Sequence, residues 1–142
     1  MSRKQGSYIS AYLPFETEYT DQECLVAALA ENGYAKVEVH ETAQHLIGYH
    51  SDTRPEVANI IIRRAQIGGS SNDIGFVKDA TTGKFKAIIS DFDKGRHNTK
   101  WLTGLKVAYN DKLTTKEAKR QGLKLKSRNI VNGKLIMKYI QA

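Results

Sequence analysis

Several features that would narrow the function are scarce or missing. Cys24 is the single cysteine in 142 residues, so no disulfide can form within the chain, and a reducing, cytoplasmic setting is the expectation. No apolar run approaches the roughly 20 residues that cross a bilayer, and no signal-peptide-like stretch follows the basic start of the sequence. A composition of 40% hydrophobic and 26% charged residues is typical of a folded globular protein.

Acidic residues are scarce in the second half of the chain. Residues 1–57 contain 4 Lys/Arg and 9 Asp/Glu, whereas residues 58–142 contain 18 and 6. From Lys100 onward there are 11 basic residues and only two acids, Asp111 and Glu117. A folded protein with one strongly positive end attracts polyanions or acidic protein surfaces.

Local patterns predict a strand followed by a helix at the start of the chain. Tyr8 to Leu13 has a strand-like composition, and Pro14 should end that strand or lie at a sheet edge. Thr20 to Glu23 has the spacing of a capping box. It predicts a helix that continues to Asn32 and stops at Gly33, which favours the left-handed conformation.

The middle of the chain alternates strand patterns with polar connections. Strands are predicted at Val37 to Val39, Leu46 to Tyr49, Val57 to Arg63, Ile74 to Phe76 and Phe85 to Ile89. Ser51 to Glu56 contains Pro55 and predicts a loop, Gly68 to Asn72 a flexible connection, and Ala80 to Gly83 a turn.

The last third predicts two helices and a hairpin. Asn98 is a plausible N-cap for a helix through Tyr109, and Thr114 to Glu117 forms a second capping box for a short helix that Gly122 ends. Asn132-Gly133 predicts a tight turn between strands at Leu123 to Val131 and Lys134 to Ile140. The order predicts an α+β fold in a single domain of residues 1–142: an antiparallel sheet with helices packed on one face, and a C-terminal β-hairpin.

Catalytic and metal-binding patterns are weak. His40, His45 and His50 are spaced by five, which places neighbours on opposite faces of a strand. We interpret them as surface histidines and expect no metal and no cofactor. Cys24 lies beside acidic residues, which oppose thiolate formation. Gly68 to Ser71 lacks the Gly-Lys-Ser/Thr of a phosphate-binding loop.

One cluster is the best candidate for acid–base or metal chemistry. Asp91, Asp93 and His97 follow a predicted strand, and the two aspartates would share a face of an extended chain. Lys94 and Arg96 lie beside them and are expected to pair with the carboxylates in a solvated loop. We therefore expect a non-enzymatic protein, with a small-ligand or metal-dependent enzyme at this cluster as an alternative.

The basic C-terminal residues are the strongest functional signal. Lys124, Lys126 and Arg128 would share one face of a strand opposite Leu123 and Leu125. A solvated outer face that discourages edge pairing explains them equally well. As an anion- or partner-binding site we predict Lys116, Lys119, Arg120, Lys124, Lys126 and Arg128.

Several short motifs, in this order, resemble an uncharacterised family named for hypothetical chloroplast reading frame thirty-five, which has plastid, cyanobacterial, bacterial and phage members. The motifs are Leu25 to Leu29, Gly48-Tyr49, Asn59 to Arg63, Asp73 to Phe76, Ala87 to Asp91, Glu117 to Gly122 and Asn132-Gly133. The resemblance implies an α+β, non-catalytic, intracellular protein and carries over no catalytic residues. Its phage members add a phage-encoded inhibitor of a host defence protein as an alternative function.

These observations predict a small binding or accessory protein. Its basic C-terminal face is expected to dock on an acidic protein surface or on nucleic acid, without contact with a membrane. Aromatic side chains that could stack on bases are sparse near this face, which weakens a single-strand-binding interpretation. The sequence leaves the oligomeric state open.

Overall fold

The computed structural model describes residues 10–141, and within them the chain forms two compact units. The sheet unit comprises residues 10–18 and 37–98, and the hairpin unit comprises residues 19–36 and 99–141. No helix in the described part of the chain is long and apolar enough to cross a membrane. The single domain of residues 1–142 stays a prediction.

The sheet unit is a five-stranded antiparallel sheet with the order β1-β5-β4-β3-β2. Its strands are β1 (Tyr12–Glu16), β2 (Glu38–Ile47), β3 (Thr53–Ile62), β4 (Ile74–Lys78) and β5 (Phe85–Ser90). A short helix, α2 (Arg64–Ile67), follows β3, and a 3-10 turn (Asp93–Gly95) follows β5. Ile60, Ile61 and Ile62 are all fully buried. Because successive side chains of a strand point to opposite faces, both faces of the sheet are covered at this end of β3.

Two prolines mark where this sheet tolerates a missing backbone donor. Pro14 lies inside β1, which forms an edge of the sheet, so the edge placement predicted for it is confirmed. The predicted start at Tyr8 lies outside the described residues. Pro55 lies inside β3, where the pairing with β2 shifts register and the pairing with β4 has not begun. The predicted loop over Ser51 to Glu56 is therefore wrong for most of its length.

The strand β2 is longer than its sequence pattern indicates. It runs continuously through the two predicted short strands, although polar residues separate them. Asn59 of β3 donates from its amide to the backbone oxygens of His40 and Glu41, at 3.2 and 3.3 Å. This long-range support comes from a neighbouring strand and cannot be read from local alternation.

The hairpin unit begins with helix α1 (Gln22–Glu31), and its cap differs from the prediction. Asp21, rather than Thr20, is the N-cap, and its carboxylate accepts a hydrogen bond from the Cys24 backbone N–H at 2.9 Å. The Thr20 backbone N–H instead donates to the Tyr109 hydroxyl at 3.0 Å. Gly33 follows the helix with φ of 101°, so the predicted stop is confirmed.

A single long helix, α3 (Thr99–Arg120), replaces the two predicted helices. The second capping box does not open a helix, because Thr114 to Glu117 lies inside α3. Within the same helix, the Thr115 hydroxyl donates to the Asp111 carboxylate at 3.4 Å. Leu105, Ala108, Tyr109 and Ala118 are buried along α3, so one face remains covered across the predicted break. Gly122 adopts φ of 74° and ends the helix as predicted.

The chain ends in the predicted hairpin, formed by β6 (Leu123–Val131) and β7 (Lys134–Gln141). Asn132 and Gly133 both have positive φ, 51° and 75°, as a type I′ turn requires. Both strands contact α3, which also packs on α1. The predicted α+β class, antiparallel sheet and C-terminal β-hairpin are confirmed.

Candidate interaction surface

The positive charge is concentrated in the hairpin unit. Its described residues contain 12 Lys/Arg and 5 Asp/Glu, a net charge of +7, whereas the sheet unit contains 8 and 10, a net charge of −2. The split differs from the division along the sequence, because Asp21, Glu23 and Glu31 belong to the hairpin unit. These three acids come from the acidic first half of the chain and lie among the C-terminal lysines.

Lys116, a predicted site residue, is paired within the fold. Its ammonium lies 2.8 Å from the Asp21 carboxylate and 3.0 Å from that of Glu23. These hydrogen bonds raise the pKa of Lys116 above its ordinary value. Burial alone would raise the pKa of Asp21, but Lys116 and the Cys24 N–H together bring it below its usual range. Lys116 therefore supports the start of α1 by pairing with its cap.

Arg120 and Arg128 are also paired. Arg120 contacts Glu117 one turn earlier on α3, and Arg128 lies 2.7 Å from the Asp111 carboxylate. The Asp111 side chain is only 12% exposed, so Arg128 neutralises an otherwise poorly solvated charge and ties β6 to α3. Three of the six predicted site residues thus have carboxylate partners inside their own unit.

A β-bulge in β6 lies between Lys124 and Arg128. Lys124 pairs across the hairpin with Ile140, but the register shifts between Leu125 and Ser127, and Arg128 pairs with Met137. Ile140 and Met137 are three residues apart on β7 and point to opposite faces. Lys124 and Arg128 therefore also lie on opposite faces, and the shared face predicted for them is wrong.

The outer face of the hairpin mixes lysines with exposed apolar side chains. We define this outer face by the residues Lys124, Val131, Lys134, Ile136, Lys138 and Ile140. Val131, Ile136 and Ile140 are between 42% and 48% exposed, and the three lysines are exposed. No salt bridge involves these lysines among the described residues. Lys126 at the bulge and Lys119 in the last turn of α3 are exposed as well.

Sequence reasoning missed part of this surface. Lys134 and Lys138 were not among the predicted site residues, although the Asn-Gly turn places β7 directly beside β6. Period-2 alternation from Lys134 puts Ile136 and Ile140 on the same face as the lysines. That alternation is visible in the sequence, but it does not show which face of the strand is exposed, because exposure depends on what the other face packs against.

The inner face of the hairpin borders a groove of about 600 Å³. The α3 side of this groove comprises Thr103, Lys106, Val107, Asn110 and Thr114, and the hairpin side comprises Gly133, Lys134, Leu135 and Met137. No carboxylate lines this groove. A second cavity, of about 320 Å³, lies on the α1 side of α3 and includes Glu23, Asp111 and Arg128 in its lining.

The cluster predicted for acid–base chemistry is part of the sheet unit's buried structure. Asp93 is only 5% exposed, and its carboxylate accepts hydrogen bonds from the Asn72 N–H and the Ser90 hydroxyl at 3.0 and 2.9 Å. Arg96 donates instead to the Ile67 carbonyl at 3.0 Å. The predicted pairing of Lys94 and Arg96 with this carboxylate in a solvated loop is therefore wrong for Asp93.

His97 is buried beside this turn, at 3% exposure. Burial lowers the pKa of its imidazole, and the nearby Asp93 opposes that shift. Asp91 is more exposed than Asp93. Asp93 and His97 are linked through a 2.8 Å backbone hydrogen bond between the His97 N–H and the Asp93 carbonyl, so their proximity follows from the turn.

The sheet unit's other buried acid is paired with an arginine. Asp73 is fully buried and accepts hydrogen bonds from the backbone N–H groups of Ile47 and Arg64 and from the Arg63 guanidinium, each at 2.7 Å. Arg63 also contacts both carboxylate oxygens of Glu38 at 2.8 and 2.9 Å. These hydrogen bonds from Arg63, with a further one between His40 and Glu38, lower the pKa of Glu38 to about 2.

The histidines of β2 and the following turn do not converge. His40 contacts Glu38 at 2.8 Å, His45 contacts the Arg54 carbonyl at 2.8 Å, and His50 is exposed. Across residues 10–141, no group of three or more His, Cys, Asp or Glu side chains could hold a metal ion. Burial raises the pKa of the Cys24 thiol to about 11, which is the direction expected from its acidic neighbours.

Fold and surface together define a small α+β protein with a charge-balanced sheet unit and a basic hairpin unit. Residues 28–134, about three quarters of the chain, match the model of a family described as protein of unknown function DUF1257. The chain belongs to this uncharacterised family. No curated protein and no solved structure matches the sequence.

Proposed function

We propose that this protein is a non-enzymatic binding module whose hairpin docks on an acidic protein surface inside the cell. The observation that carries the proposal is the outer face, on which Lys124, Lys134 and Lys138 are exposed and lack a carboxylate partner. We also infer, from the order of its motifs, that the chain belongs with the relatives named for chloroplast reading frame thirty-five.

The proposed contact residues differ in part from those predicted from the sequence. Lys119, Lys124 and Lys126 remain as proposed contacts, joined by Lys134 and Lys138. Lys116, Arg120 and Arg128 become supporting residues, because their carboxylate partners already satisfy much of their charge. A cation that must leave an intramolecular partner gains less from an external one.

The exposed isoleucines favour a protein partner over nucleic acid. Ile136 and Ile140 alternate with Lys134 and Lys138 on the outer face, and apolar contacts flanked by charges are typical of protein interfaces. Surfaces that bind single-stranded nucleic acid present aromatic rings for base stacking. Tyr139, the aromatic residue of the hairpin, faces away from the lysines, and its side chain is half-buried.

Binding to defined polyanions tests this proposal. The full chain is titrated with labelled poly-L-glutamate, poly-uridine RNA and duplex DNA, with fluorescence anisotropy as the readout. We expect poly-L-glutamate to bind, with an affinity that falls as salt rises. The double variant Lys124→Glu/Lys138→Glu should bind about tenfold or more weakly.

The matched control is Lys78→Glu/Lys94→Glu, which changes the net charge equally but lies in the sheet unit. It should retain affinity close to that of the unmodified protein. Equal losses in both double variants would show that net charge, rather than the outer face, drives binding and would overturn the proposal. Tighter binding of RNA or DNA than of poly-L-glutamate would replace it with a nucleic-acid interface.

A further inference from the structure

The free edge of β7 lies next to the groove described above. In the described part of the chain, β6 and β7 pair only with each other, so each strand has one edge with unpaired backbone N–H and C=O groups. Such an edge is a template for a further strand. The two edges are not equivalent, because the bulge near Lys126 interrupts β6, whereas the residues of β7 follow one another without an insertion.

The surroundings of the two edges also differ in charge. The groove lined by β7 contains Lys106 and Lys134 and no carboxylate. The cavity lined by β6 contains Glu23 and Asp111 as well as cations, and its Arg128 is already paired with Asp111. An acidic segment is therefore favoured at the β7 edge and meets carboxylates at the β6 edge.

The same lysines oppose self-association. If two copies of the chain paired through their β7 edges, Lys134 and Lys138 of both copies would lie on neighbouring strands. Like charges at cross-strand positions are destabilising, and lysines on an exposed edge are a common protection against edge-to-edge pairing. The charge of β7 thus selects against a second copy and in favour of an acidic strand.

We propose that the β7 edge and the adjoining groove accept an extended acidic segment of the partner protein as a third strand of the hairpin. This inference deepens the function proposed above and rests on it. Backbone hydrogen bonds to β7 provide the attachment, and side chains on the two faces of the added strand provide the specificity.

Alternation along β7 defines the sequence that this edge selects. On the outer face, Lys134, Ile136 and Lys138 call for an acidic, an apolar and an acidic side chain at every second position of the added strand. The intervening side chains turn to the inner face and enter the groove above Val107, Leu135 and Met137, which suits small apolar residues. The pattern is symmetric, so it suits a parallel or an antiparallel strand.

A synthetic peptide tests the inference. The probe is acetyl-Ser-Glu-Val-Ile-Val-Glu-Ser-amide, titrated into the isotope-labelled full chain and followed by NMR. We expect slowed exchange of alternate β7 backbone amides and cross-strand NOEs between the peptide and β7. N-methylation of the alternate peptide nitrogens that face β7 should weaken binding about tenfold or more, because it removes the backbone hydrogen bonds.

Variants of the groove separate this mode from binding to the outer face. Asn110→Trp fills the groove from an exposed position on α3 and should reduce peptide affinity about tenfold. Gln121→Trp, an equally large change at an exposed position outside the groove, should leave the affinity unchanged.

The outcomes distinguish this inference from the docking function. One outcome is that the peptide binds, that Asn110→Trp and N-methylation leave its affinity unchanged, and that only Lys124→Glu/Lys138→Glu weakens it. This result would overturn strand addition, and docking through the outer face would stand. If neither the peptide nor poly-L-glutamate binds, both proposals fail. If β7 amides become protected and both the groove variant and N-methylation abolish binding, strand addition is confirmed.

Discussion

The two units of this protein use charge in different ways. In the sheet unit, acids and bases nearly balance, and its fully buried carboxylate, Asp73, is held by Arg63 and two backbone N–H groups. In the hairpin unit, a net charge of +7 leaves cations without carboxylates. Lys112, Lys116 and Arg128 contact acids of the same unit, whereas Lys124, Lys134 and Lys138 project from the outer face.

This difference shows that a count of charges along a sequence does not identify a binding surface. Half of the six cations predicted as a site are engaged within the fold, and two unpaired lysines of β7 were not predicted as site residues. In the function that we propose, the binding surface is formed by the cations that have no carboxylate partner within the fold. Substitutions that remove one partner of an ion pair, compared with substitutions of cations that have no carboxylate partner, test this interpretation directly.

The largest effect is expected at Arg63. The Arg63→Met variant removes one of the three hydrogen bonds to the buried Asp73 carboxylate and both of the Arg63 contacts to Glu38. The Asp73 carboxylate then keeps its charge without a cationic partner. Removing one partner of a buried ion pair costs about 3–5 kcal/mol. Native-state amide hydrogen exchange in β2, β3 and β4 measures this loss.

Lys94→Met is the control for Arg63→Met, because it removes one positive charge from an exposed position of the same unit. It should change the exchange rates little. Equal effects of the two variants would mean that the Arg63–Asp73 pair does not stabilise the sheet unit, and the contrast between the two units would lose its basis.

A smaller loss is expected at Gly75, where the sheet unit is packed too closely for a side chain. A Cβ atom at this position would lie 2.5 Å from the Ala58 Cβ and 3.0 Å from the nearest Leu46 methyl. Gly75→Ala should cost about 1–3 kcal/mol, measured by chemical unfolding. Gly69→Ala, whose Cβ would meet nothing within 4 Å, is the control.

A double variant checks the cause of the Gly75 effect. If the clash with Ala58 is responsible, Ala58→Gly should partly rescue Gly75→Ala, and the two changes should be non-additive by more than about 0.5 kcal/mol. Strict additivity would assign the loss to backbone conformation instead.

Acid should weaken the sheet unit through Glu38. The pKa of Glu38 falls from 4.5 to about 2 in the folded protein because of Arg63 and His40, so the folded state favours the ionised form. The stabilisation is fully present above pH 4.5 and is lost as the pH falls from there to about 2. The effect is smaller than at Arg63, because the Glu38 side chain is 41% exposed and water screens the pair.

Unfolding measured against pH checks this expectation. Glu38→Gln should flatten the pH dependence of stability in that acidic range while leaving the dependence near neutral pH unchanged. Glu41→Gln, at a nearby exposed carboxylate of the same strand, should keep the slope of the unmodified protein. An unchanged slope in Glu38→Gln would assign the acid sensitivity to other groups.

The elements with strong local signals were predictable from the sequence. Asn132-Gly133 identifies the hairpin because both residues readily adopt positive φ, and Leu25, Leu29 and Gly33 identify α1 and its end. The continuity of β2 was not predictable, because it is supported by Asn59 on the neighbouring strand β3. The continuity of α3 was not predictable either, because it depends on the burial of Asp111 and Ala118 in the folded protein. Local cap and loop patterns there were overridden by packing.

The candidate surface was predictable only in part. Composition places positive charge at the C-terminal end, and Lys119, Lys124 and Lys126 are exposed as expected. The bulge that turns Arg128 to the opposite face has no sequence signature, since a one-residue shift depends on the pairing of β6 with β7. Pairing of Lys116 with Asp21 joins residues 95 positions apart, which no local pattern encodes.

The smallest effect is expected from a pair of cations on the same strand. Arg128→Met leaves the Asp111 carboxylate, 12% exposed, without its partner and should cost about 1 kcal/mol, near the upper end for a partly exposed pair. Lys124→Met removes a charge with no carboxylate partner and should stay within about 0.5 kcal/mol of the unmodified protein. Amide exchange in α3 and β6 reports both changes. Binding of poly-L-glutamate should show the reverse order, with the greater loss in Lys124→Met, because only Lys124 belongs to the outer face. If one of the two variants showed the greater loss of both stability and affinity, cations that stabilise the fold and cations that contact the partner would not be separate groups.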